Sequence, residues 1–115
     1  MTAAIVTRLK TGTIKNVVPF GSKPPAPPYI VVKCERVEGI RNVRVWVHHN
    51  QGYQKDIEKY VFNTLSVLLR NWTGTDSSGN TFRLKDADEY NEIVAVNDDS
   101  TLSMERVFYA PFRLH

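Results

Sequence analysis

Metal or acid–base chemistry in a small chain depends on grouped histidines, cysteines and acids, and here those residues are few and scattered. His48 and His49 are adjacent. Neighbouring side chains on a strand point to opposite faces, so the pair cannot grip one metal ion. A site made by Cys34 and His48 across a hairpin needs a register that aligns them, and two ligands make a poor zinc site. His115 is terminal. The acid pairs Asp86 with Asp88 and Glu89 with Glu92 stand in or beside a loop with no nucleophile or base to complete a site. Ser66 and Ser103 lack a nucleophile-elbow setting. The six glycines never fall into GxGxxG, nor into GxxxxGK followed by Ser or Thr, so no phosphate-cradling loop is present. The expectation is a protein that is not an enzyme, with no catalytic, cofactor-binding or metal-binding residues.

Interaction chemistry is better represented. Arg41, Arg44, Trp46 and His48 mix cations with an aromatic ring along one strand. With Lys33 they could form a sheet-based nucleic-acid surface, but Arg and Trp are also the residues that enrich protein interfaces. The candidate subunit or partner contacts are Arg41, Arg44, Trp46 and Arg106, followed by Asp98 and Asp99.

The formal net charge of +3 is too small for a dedicated nucleic-acid binder. Its distribution says more. Arg8, Lys10, Lys15, Lys23 and Lys33 precede the first acidic residue, whereas Asp86, Asp88, Glu89, Glu92, Asp98 and Asp99 follow one another without an intervening Lys or Arg. Such a bipolar chain suits head-to-tail contact between identical subunits. The competing explanation, ordinary solvated surface charge, applies to any one of these runs taken alone.

The elements that must position these groups are legible in outline. At 115 residues, 42% hydrophobic and 23% charged, the chain has the size and composition of one globular domain over 1–115 and not those of a disordered one. Ile5, Val6, Leu9 and Ile14 predict a short first helix between Thr2 and Lys15, capped by Thr2 and weakened at its end by Thr11, Gly12 and Thr13. Five of the six prolines crowd into VVPFGSKPPAPP, at 17–28, which reads as a stiff connector. YIVVKCERV at 29–37 and IRNVRVWVHH at 40–49 read as two strands of a hairpin, with Glu38 and Gly39 in the turn and Gly39 at positive φ. The stretch 53–70 predicts the main helix, its stripe being Ile57, Tyr60, Val61, Leu65, Leu68 and Leu69. A polar loop at 72–80 leads to strands in TFRLK, EYNEIVAV and LSMERVFYAPF, the last two joined by a turn over Asn97–Ser100 and the last ended or edged by Pro111. Trp72 and Phe20 are expected to anchor their loops on the core. The expected fold class is α+β: two helices on one mainly antiparallel sheet of about five strands, in the order α-β-β-α-β-β-β.

Cys34 is the single cysteine and is expected to be core filler, in a protein made in the cytosol. The opening MTAAIVTR lacks a signal peptide's apolar core, and no apolar run reaches the ~18 residues of a membrane span.

Taken together, PPYIVVK at 27–33, VRVWVHHNQGYQKDIEKYVFNTLSVLL at 43–69 and LSMERVFYAPF at 102–112 resemble the tail-terminator, or tail-completion, proteins at the neck of long-tailed bacteriophages. That resemblance covers most of the chain and implies a structural virion protein assembled in the host cytoplasm. It implies a homo-oligomeric ring, typically of six, that caps the tail tube and joins it to the head connector or stopper, with double-stranded DNA passing through. It also implies contacts to those neighbours from the loops 52–55 and 72–80 and from the proline connector. The chain is compact for such a protein, so a related head-completion role is the alternative within the same class.

Overall fold

The protein is described by a computed structural model covering residues 1–96 and 100–111. Helix α1 (Thr2–Leu9) leads to a short strand β1 (Val17–Pro19), then β2 (Tyr29–Val37) and β3 (Ile40–Asn50). Next come α2 (Gln54–Lys59), a π-helical turn (Tyr60–Thr64) and α3 (Leu65–Leu69), then β4 (Thr73–Thr75), β5 (Thr81–Arg83), β6 (Lys85–Val96) and β7 (Thr101–Pro111). The main sheet has the order β1-β2-β3-β7-β6, and β4 pairs with β5 in a separate hairpin. Only the β1–β2 pair of the main sheet is parallel, so the fold is the expected α+β class.

The strongest helical segment of the sequence carries its own correction. Ile57, Val61, Leu65 and Leu69 recur at strict intervals of four, and in an ideal α-helix each such step overshoots a full turn by about 40°. The π turn adds a residue to one helical turn and takes up part of that drift. The residues predicted as the stripe, Tyr60 and Leu68 included, are all buried. They pack on Val43, Val45 and Val47 of β3, Ile30 and Val32 of β2, and Met104 and Phe108 of β7. Each such side chain contributes roughly 1.5–3 kcal/mol of burial before entropy is set against it.

The β2–β3 turn is as expected in place and tighter in form. Glu38 and Gly39 both take positive φ, 43° and 83°, the two-residue geometry whose twist matches the flanking strands. Four other expectations need adjustment. Helix α1 stops at Leu9, and Met1 is its N-cap, with Thr2 inside the first turn and no side-chain cap. The proline connector contains β1, because Val17 and Val18 favour extended backbone, and Pro19, lacking an N–H, is tolerated at a sheet edge.

The loop at 72–80 is largely the β4–β5 hairpin. Asp76 closes it by accepting the Ser78 and Asn80 N–H groups. Trp72 packs edge-on against Phe82, and a Cβ on Gly74 would lie 2.6 Å from one ring and 2.7 Å from the other, so only glycine fits between them. Finally, TFRLK does not join the main sheet: Thr81–Arg83 stays in the hairpin, Leu84 is buried at the pivot, and β6 begins at Lys85.

Candidate interaction interface

Register assigns each strand residue to a face. Val32–Val45–Arg106–Tyr90 and Cys34–Val43–Phe108–Asp86 are rows across the helix-covered side. Lys33–Arg44–Val107–Glu89, Val31–Trp46–Glu105–Asn91 and Tyr29–His48–Ser103–Val94 are rows across the other side, which no helix among the described residues covers. Cys34 and His48 therefore lie on opposite faces, which removes the metal pair that the sequence left open. Among the described residues, no cluster of three or more His, Cys, Asp or Glu could hold a metal ion, and no helix is long and apolar enough to cross a membrane.

The open face carries a charged ladder. Lys33 Nζ lies 2.9 Å from Glu35, whose other oxygen is 3.5 Å from Arg44 Nε. Arg44 Nη1 reaches Glu105 at 3.3 Å, and Asn91 donates to the same carboxylate from β6. The Lys33 hydrogen bond holds the Glu35 carboxyl below its ordinary pKa. Burial draws the Arg44 pKa down, but the hydrogen bond and charge of Glu105 outweigh it and leave the value raised. Glu105 is only 5% exposed, because Trp46, Arg44 and Asn91 close around it.

Beside the ladder lies a groove of about 640 Å³ between the open face and the Phe20–Pro24 loop, with Tyr29, Trp46 and His48 in its floor. Phe20 stands 5.9 Å from Trp46, centroid to centroid, with Lys33 Nζ 4.5 Å above its ring. Tyr29 stacks on His48 at 4.4 Å, and His48 Nδ1 lies 3.2 Å from Thr101 Oγ1. Phe20 is 58% exposed and so does not anchor its loop in the core, whereas Trp72 packs against it as expected.

The predicted contact residues separate in space. Arg44 and Trp46 share the open face. Arg41 is on the other face, where it lies 3.6 Å from Asp76 and ties β3 to the β4–β5 hairpin. Arg106 is 1% exposed and points under the helices, which takes it out of the surface set. Its guanidinium pairs with Asp86 and donates to the Val61 carbonyl at 2.8 Å and to Ser66 Oγ at 2.6 Å, around the π turn. Asp98 and Asp99 lie outside the described residues.

Sequence reasoning missed the groove and the role of Asp86. That residue accepts from Arg106 through one oxygen and from the Asp88 N–H through the other, so one buried carboxylate joins the π turn to the first bulge of β6. The alternation of β7, with Glu105 out of phase with Met104 and Arg106, was a readable sign that two charged residues of that strand serve different faces.

The sheet also sets part of each charge run at a different edge. Lys15 and Lys23 are exposed on the segments flanking β1, at one edge. Asp88, Glu89 and Glu92 are exposed along β6, at the other. Exposed Tyr90 and Val94 lie among those acids, and Phe62 of the π turn packs on Tyr90 with ring centroids 4.8 Å apart.

Neither a protein-family profile nor a curated protein sequence matches the chain. Solved structures do match it. One of them, a protein that bears only a sequence designation, superimposes with a TM-score of 0.61 over 98% of this chain and 94% of its own. Its identity to this chain is 18%, so the likeness establishes a shared fold and nothing about activity.

Proposed function

We propose that this chain is a structural subunit that closes into a ring by contact between unlike sides, and that it serves at a bacteriophage neck as a tail terminator. The observation that carries the reading is the separation of charge across one rigid sheet: cations beside β1 and acids along β6, at opposite edges. Identical subunits with unlike flanks associate head to tail, and a head-to-tail contact closes into a ring when its rotation permits. The three sequence stretches that resemble tail terminators supply the neck setting, with the tail tube and head connector as neighbours and DNA passing through the lumen.

A nucleic-acid-binding role for the Arg44 and Trp46 strand is disfavoured by the ion pairs. Lys33, Arg41 and Arg44 each already face a carboxylate, so the patch offers little net positive charge to phosphates. Native mass spectrometry and electron microscopy of the purified protein, alone and with tail tubes, test the reading. Rings that cap tube ends support it, and a monomer that persists at high concentration with and without tubes overturns it.

A further inference from the structure

Two of the exposed apolar side chains lie on opposite flanks of the sheet, each beside charge of one sign. On one flank, Phe20 at 58% exposure overhangs the groove above Trp46, with Lys23 on the groove's wall. On the other flank, Val94 at 57% exposure sits on β6 near Glu92. Val94 also shares a cross-strand row with Tyr29 and His48 of the groove floor, so both features open on the same uncovered face. At about 640 Å³ the groove falls in the size range of pockets that bury a ligand of several side chains' bulk.

We infer that the groove beneath the Phe20–Pro24 loop of one copy receives the β6 edge of a second copy, with Val94 packing on the exposed side of the Phe20 and Trp46 rings and Glu92 meeting Lys23. The inference rests on the self-association reading above and specifies its contact surfaces. Charge complementarity selects the occupant. Groove against groove would set Lys23 against Lys23, and β6 against β6 would oppose two rows of acids, so the unlike pairing is the favourable one. An apolar centre with charges at the rim is also the usual anatomy of a specific interface.

Subunit mixing provides the test. One variant, F20S with K23Q, disables the groove; another, E92Q with V94S, disables the edge. All four positions are exposed, so both variants should keep the wild-type circular dichroism and melting temperature. Each alone should lose assembly, with its dissociation constant raised at least about tenfold in sedimentation velocity. Mixed in equal amounts, they should form one-to-one dimers that grow no further, because only one intact groove and one intact edge meet. A wild-type protein that assembles while both variants assemble equally well would overturn this contact and leave the ring reading standing. A wild-type protein that never assembles would overturn both.

Discussion

The two edges of the sheet solve the same problem in opposite ways. A free strand edge offers unpaired N–H and C=O groups to any passing strand. At β1 the exposure is limited by length and chemistry: the strand spans Val17–Pro19, pairs in parallel, and ends in a residue with no N–H to give. At β6 the strand spans Lys85–Val96, and protection comes instead from two register shifts, between Asp86 and Glu89 and between Asn91 and Val94, together with exposed acids. Like edges are thus protected from pairing with each other, and the head-to-tail proposal requires that unlike edges attract. On the proposed reading, this difference turns a defence against aggregation into a preference for ordered head-to-tail contact.

Breaking the anchor of the acidic edge should have the largest effect. Arg106→Ala leaves Asp86 buried without its cation and the π-turn carbonyl of Val61 without its donor. We expect a loss of about 3–5 kcal/mol in urea unfolding. Replacing both partners, Arg106→Met with Asp86→Leu, should recover much of that stability, since removing a whole buried pair costs less than removing half of it. Because Asp86 also holds the first β6 bulge, amide exchange in β6 should accelerate before exchange in β2.

The basic edge depends on burial, and among the described residues no ion pair comparable to Arg106–Asp86 ties it. Val17→Ala, at a residue 3% exposed, should cost about 2 kcal/mol, a loss that added salt leaves unchanged in thermal melts. Phe20→Ser on the same edge should change subunit stability by less than about 0.5 kcal/mol, because that ring is mostly in solvent. If Phe20→Ser unfolds the subunit, the division between residues that build the edge and residues that use it fails.

The smallest effect concerns Cys34. Burial raises its thiol pKa above the ordinary 9.0, against smaller lowering contributions from the Thr2 hydrogen bond and nearby positive charge. A folded-state pKa above the unfolded one leaves stability unaffected at neutral pH and erodes it only as pH rises into and past the thiol's ordinary range. Alkylation by iodoacetamide at pH 8 should accordingly be slower in the folded protein than in urea.

Much of the architecture was legible because it follows from period. The stripe of the main helix, the β2–β3 hairpin and the alternation of β3 depend on residues close in sequence, and each formed where it was read. Context decided the rest. Whether Val17 and Val18 pair depends on the arrival of β2, and whether Thr81–Arg83 joins the main sheet depends on the packing of Trp72 on Phe82. Arg41 and Arg106 looked like surface cations because charge is usually solvated. Their acceptors, Asp76 and Asp86, lie 35 and 20 residues away in sequence, a proximity that no local pattern announces. The open-face residues Arg44 and Trp46 were found because alternation alone separates them from the valines.

On the proposed reading, unlike edges hold copies of this subunit together. Native mass spectrometry of the wild-type protein across a salt series tests it most directly. The expected result is one closed oligomer of fixed subunit number at low salt that falls back to monomer as ionic strength rises and the edge charges are screened. A protein that remains monomeric at every salt and concentration, or one that forms only a salt-insensitive dimer, would contradict it.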